Sequence, residues 1–157
     1  MSIFYTTKIF TLLLLFFVIE SRANPNFDWY LVSPVAPYKK HSLVLEKKDQ
    51  NIRTILIRAS KQKVNFCGKY ILFTYSCGGG CLDGGVINAK TGRFVSKLPA
   101  MYETTDDLGA EFEIKYRKNS RLLVVSGKKI DPVSLETYDF NIDYYEFKDN
   151  GFVSINE

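Results

Sequence analysis

A chain of 157 residues that is 46% hydrophobic, 15% aromatic and 24% charged has the profile of a single globular domain. That profile excludes a disordered, collagen-like or multi-span membrane protein and leaves no room for a large multidomain enzyme. The formal net charge of +4 comes without the dense basic stripe that a dedicated nucleic-acid binder carries.

The chain opens with Lys8, the near-unbroken apolar run 9–19 interrupted only by Thr11, and Ser21-Arg22-Ala23, which places small residues at −3 and −1 of a cut before Asn24. This three-part pattern predicts a secretory signal peptide over 1–23. The alternative is a membrane anchor, but eleven helical residues span about 16 Å, roughly half of a hydrocarbon core. No Cys lies near the cut to carry a lipid. Cleavage leaves 134 residues and, with Lys8, Arg22 and Glu20 gone, a net charge of +3. The expected location is therefore exported, periplasmic or secreted, with no stable membrane anchor after cleavage.

Residues 24–41 hold Pro25, Pro34 and Pro37 and predict an extended arm, irregular or edge-strand, because each proline removes a ladder donor. Trp29, Tyr30 and Leu31 are the side chains available to pin it. From 42 to 157 one all-β domain is expected. The segment 52–58 is rich in β-branched residues and reads as a strand. In 69–77, Ile71, Phe73 and Tyr75 alternate with Tyr70, Leu72 and Thr74, and both faces are apolar enough for a central strand. A shorter strand, 85–89, turns through Lys90-Thr91-Gly92 into 93–97 as a hairpin. The stretch 99–110, with Asp106 and Asp107, reads as a loop.

Beyond it, 111–117 alternates cleanly, with Phe112, Ile114 and Tyr116 on one face. The run Leu122-Leu123-Val124-Val125 has no polar face and predicts burial on both sides. In 138–144, Tyr138, Phe140, Ile142 and Tyr144 are expected inward, with Asp139, Asn141 and Asp143 outward. Asp149-Asn150-Gly151 turns into a last strand, 152–155. No segment from 24 onward sustains a 3.6-residue apolar period beyond one turn. The fold class is all-β: an antiparallel meander of about eight or nine strands forming a compact two-sheet sandwich or small barrel with propeller-blade-like hairpins. A closed propeller needs at least about four blades of roughly 40 residues and would not fit.

The run Phe66-Cys67-Gly68-Lys69-Tyr70-Ile71-Leu72, then Cys77-Gly78-Gly79-Gly80-Cys81, then Ile87-Asn88-Ala89-Lys90-Thr91-Gly92 is distinctive. With Asn119-Ser120-Arg121-Leu122-Leu123 and the aromatic C-terminal hairpin, it resembles a group of small exported bacterial proteins, over patches of roughly 64–155. The resemblance implies a bacterial, periplasmic protein and supplies no catalytic residue. The position of Cys67 is a small residue in that pattern; cysteine here is a departure that leaves its pairing open.

The strongest local motif is Cys77-Gly-Gly-Gly-Cys81. Three glycines relieve the clashes that oppose so short a ring, which favours a structural disulfide over a redox dithiol or a metal half-site. Redox motifs are normally C-x-x-C, often at a helix start, and zinc needs about four ligands. Cys67 reads as a buried inert thiol, with pairing to Cys77 or Cys81 the alternative. The glycine loop fails the phosphate motifs, with Asp83 and Gly85 where Gly and Lys are required. Asp139-x-Asn141-x-Asp143 lacks the calcium loop's Gly and closing Glu. The only histidine, His41, lies in a lysine-rich polar stretch, so no Ser–His–Asp or Cys–His set is in view. No cofactor and no metal are expected. Asp83, in the loop after the cysteines, and Tyr145, on the Asp143 face, are the candidate interaction residues. The leading expectation is a non-enzymatic binding module, inhibitor- or immunity-like, whose partner is another envelope or exported protein. The alternatives are a hydrolase or redox enzyme centred on the Cys77–Cys81 loop and a self-associating envelope component.

Overall fold

Turn-forming residues divide the chain into eight strands of one antiparallel sheet: β1 (Tyr70–Gly78), β2 (Cys81–Asn88), β3 (Arg93–Lys97), β4 (Met101–Glu103), β5 (Glu113–Tyr116), β6 (Leu122–Ile130), β7 (Thr137–Lys148) and β8 (Gly151–Ser154). The computed structural model describes residues 24–104, 109, 111–131 and 133–155. The predicted signal peptide, 1–23, and the loop carboxylates Asp106 and Asp107 lie outside them.

The strand order is β1-β2-β4-β6-β7-β8, with β3 also paired to β2 and β5 to β6. The sheet is not closed into a barrel. Three-residue β4 bridges its two halves, pairing Leu82 with Tyr102 on one side and Lys129 with Tyr102 on the other. Around this bridge the sheet folds over on itself. Tyr70 of β1 and Phe147 of β7 are four steps apart in the strand order, yet their rings meet at 4.9 Å. The seam between the halves is a core of Phe66, Tyr70, Leu72, Val86, Tyr102, Leu123, Val125, Tyr145 and Phe147. The all-β class predicted above holds, and its sandwich character comes from one continuous sheet.

A second core lies on the other face of β1 and β2, and it explains the first correction. Residues 53–59 form a helix, α1 (Arg53–Ala59), and not a strand. Ile52, Ile55, Leu56 and Ala59 fall at i, i+3, i+4 and i+7, one helical face, which packs on Ile71, Phe73, Ile87 and Ala89. The β-branched content that suggested a strand is outweighed by this burial and by the start signal ahead of it. The Asp49 carboxylate accepts the Glu46 backbone N–H at 2.9 Å, and the Glu46 side chain returns the bond, a capping box that opens a 3-10 turn leading into α1. At the other end Lys40 Nζ donates to the carbonyls of Ser60 and Gln62, placing a cation at the helix C-terminus. The first half of β1, residues 70–73, is therefore buried on both faces, as its sequence suggests, yet the strand ends the strand order and is not central. Burial of its two faces comes from α1 and from the folded-over half.

The arm is irregular, as predicted, apart from a 3-10 turn at Phe27–Tyr30. Backbone and hydroxyl groups fix it: Ser120 Oγ donates toward the carbonyls of Phe27 and Tyr30, and Val32 N–H donates to Asn119 O. Of the three expected pins, Trp29 and Leu31 are exposed and Tyr30 is half-buried.

The second correction concerns β7. The register pairs Leu123 with Tyr145 and Val125 with Asp143, so Asp143, Tyr145 and Phe147 face the seam. Asp143 is 4% exposed and Phe147 2%, whereas Tyr138, Phe140 and Ile142 are 57%, 42% and 46% exposed. The expected inward residues Tyr138, Phe140 and Ile142 are thus exposed and the expected outward Asp143 is buried, while Asp139 and Asn141 are outward as expected. The apolar alternation runs on even numbers up to Tyr144 and on odd numbers from Tyr145. One regular strand cannot bury both sets on one face, and the set opposite Leu123 and Val125 wins because those residues are fully buried.

Candidate functional site

Cys77 and Cys81 are joined by a disulfide with a Cα–Cα distance of 5.2 Å, as the spacing favours. It clamps the turn end of the β1–β2 hairpin across Gly78, Gly79 and Gly80, all in the left-handed region at φ 95°, 55° and 79°. Closing so small a ring contributes about 2 kcal/mol through the unfolded chain. The Cys77→Ser, Cys81→Ser double variant is expected to lose that amount, read as a lower urea midpoint at constant slope.

Asp83 does not lie in a loop. It is within β2, 6% exposed, and accepts from the Tyr75 hydroxyl at 2.8 Å and from the Gly84 N–H at 2.7 Å. Burial first, and then this bond and the Asp83 charge, push the Tyr75 hydroxyl up to about 12. Asp83 is a buried, bonded acceptor. Tyr145 is likewise not a surface tyrosine. It is 7% exposed and packs edge-on to Phe152, because it faces the seam beside Leu123. Both corrections have one origin: the strands are longer than predicted and their parity is set by pairing partners invisible locally.

Cys67 is free and buried. Burial pushes its thiol from 9.0 up to about 11. A raised native value means the native state holds its proton longer than the unfolded chain does. The associated stability is fully present below pH 9 and is lost as pH rises through about 11, a decline of about 2–3 kcal/mol. The Cys67→Ser variant is expected to show a flatter alkaline limb in denaturation measured from pH 8 to 11.

His41 is exposed, with Nδ1 2.7 Å from Ser42 O. Among the described residues no three His, Cys, Asp or Glu side chains gather in a way that could hold a metal ion. No helix of the described residues is long and apolar enough to cross a membrane.

What the alternation concealed is a surface. The outer face of β7 presents Tyr138, Phe140 and Ile142 in a row, with Val133, 90% exposed, and Leu135, 69% exposed, at the hairpin tip. Hydrogen bonds link the described residues of the tip. Asp131 Oδ1 accepts the N–H groups of Val133 and Ser134, both at 2.8 Å, and these bonds hold its carboxyl below the usual range. Leu135 N–H donates to Asp131 O at 3.0 Å. Five large apolar side chains are thus exposed on one hairpin, the kind of patch that marks an interaction site. The signal was present in the sequence as aromatic residues on both parities of one strand, of which only one can be inward.

No protein-family model matches the chain, and no curated protein or solved structure matches it either.

Proposed function

We propose that the protein is a non-enzymatic binding module that acts after export and docks another exported or envelope protein through the β6–β7 hairpin. The observation that carries this reading is the exposed row Tyr138, Phe140 and Ile142 beside a bonded, apolar tip. Tyrosine and phenylalanine on a rigid strand supply contact area at little ordering cost, which suits an inhibitor- or immunity-like capping protein. Export follows from the predicted leader and accords with a disulfide, which persists in oxidising compartments.

The test compares the wild type with Phe140→Asp and Ile142→Asp in capture from an exported-protein fraction, followed by sedimentation of the purified chain alone. A partner retained by the wild type and lost by both variants, at unchanged melting temperature, is the expected result. Equal capture by wild type and variants overturns the reading. A concentration-dependent dimer that both variants abolish transfers the surface to self-association.

A further inference from the structure

A second surface lies at the other end of β7, built by the N-terminal arm and the β7–β8 turn. Residues 31–38 pass over Gly68, whose φ of +76° and missing side chain permit the approach: a Cβ there would sit 2.8 Å from Val35 Cγ2 and 3.4 Å from Val32 Cγ2. Between arm and body runs an open groove of about 770 Å³ walled by Val32, Pro34, Val35, Pro37 and Val64. Val32 and Val35 also line a neighbouring cavity of about 320 Å³, so the two spaces lie side by side along the arm. The character of the second is different. Lys69, Lys90, Arg121 and Lys148 line it, against the single carboxylate Asp149. Arg121 is held by Glu146 at 2.9 Å, and Lys69 lies over the Tyr70 ring at 5.4 Å. Among the described residues Lys90 and Lys148 have no ion-pair partner. Four cations against Asp149 and Glu146 leave a local charge of +2.

The geometry points to a binding site for a single-chain amphiphile with a phosphate-monoester head, its acyl chain in the arm groove and its phosphate among Lys69, Lys90 and Lys148. Charge complementarity selects the head: a phosphate monoester carries about −1.5 to −2 at neutral pH, close to the local excess. The apolar volume selects the tail, since the groove lies within the size range of small-molecule sites and has mainly aliphatic walls. This inference goes beyond the protein-docking role of the β6–β7 hairpin and is independent of it.

Titration calorimetry of the purified protein with oleoyl lysophosphatidate, kept below its micellar concentration, tests the assignment. Saturable 1:1 binding is expected, weakening about two- to fourfold for each methylene removed from the chain. Oleoyl lysophosphatidylcholine, with the same chain and no net charge, is expected to bind at least tenfold more weakly, and inorganic phosphate not measurably. The exposed pair Lys90→Glu, Lys148→Glu is expected to lower lysophosphatidate affinity at least tenfold at unchanged melting temperature, and Val35→Asp to do so from the groove side. Equal affinity for the phosphatidylcholine, equal affinity in the Lys90→Glu, Lys148→Glu variant, tighter binding of oleate than of lysophosphatidate, or binding to phosphatidate vesicles without saturable binding of the monomer each overturns it. The Phe140→Asp variant should bind the lipid like wild type, which separates this site from the hairpin surface.

Discussion

Phe66→Ala is expected to remove about 3–5 kcal/mol of stability, a large part of the total for a domain of this size. Phe66 is fully buried and precedes β1, where its backbone exchanges bonds with Tyr70. Its ring meets Tyr116 at 6.1 Å, Phe147 at 5.3 Å and Phe152 at 6.2 Å. Those partners come from β5, β7 and β8, all in the half of the sheet opposite β1. One side chain therefore spans the seam, and its loss opens a cavity lined by rings from three strands that cannot all close in. Urea denaturation should show the midpoint falling steeply. Ile57→Ala, on the exposed side of α1, is the control and should change stability by less than about 1 kcal/mol. A loss below 1 kcal/mol for Phe66→Ala would mean that the two halves of the sheet do not share a core.

The seam also marks the boundary of what local sequence discloses. The β1–β2 and β2–β3 hairpins, the β7–β8 turn at Asp149-Asn150 and the doubly buried Leu122-Leu123 are readable because turn chemistry and short-range alternation determine them. Asp149 and Asn150 do adopt positive φ, at 51° and 61°. The Cys77–Cys81 staple was readable for the same reason: its ring is five residues long. What escaped depends on distant partners. Helix α1 is two turns, too short for its period to outweigh β-branched propensity, and its face has meaning only against Ile71 and Phe73. The inward side of β7 is decided by β6, so the aromatic row on its outer side reads locally as core. Tyr145 and Asp83 changed from surface candidates to buried groups through that same dependence on pairing. The arm groove combines residues 32–37 with 64–68 and 118–119, a juxtaposition that no spacing rule contains.

The inward position of Asp143 on β7 places a charge in the core, and the largest electrostatic effect is expected there. Asp143, 4% exposed, lies 2.9 Å from Lys129 Nζ, while Asn141 Nδ2 donates to its other oxygen at 3.2 Å. Tyr102, fully buried, stands nearby, its hydroxyl raised by burial and by the neighbouring Tyr145 and Asp143. Burial pulls the Lys129 ammonium down, but Asp143 and Tyr145 more than offset it, so it titrates above its ordinary 10.5. The stability from this contact is thus present throughout neutral pH and is lost only as pH rises past 10.5 through the native value. Lys129→Met strips the carboxylate of its counter-ion in a site that water barely reaches, and about 3 kcal/mol of destabilisation is expected. Asp143→Leu alone removes the charge that the lysine compensates, and the half-exposed lysine stem can swing its ammonium into water, so its loss should be smaller. The Lys129→Met, Asp143→Leu double variant is expected to recover most of the first loss, because a matched apolar pair in a buried site often equals an ion pair in stability. A double-mutant cycle by urea denaturation at pH 7 measures the coupling directly. Additive losses would show that Asn141 and the surrounding strand satisfy Asp143 without Lys129. Coupling of about 2 kcal/mol or more would show that the ion pair is what lets β7 keep Asp143 inward and its aromatic face in water.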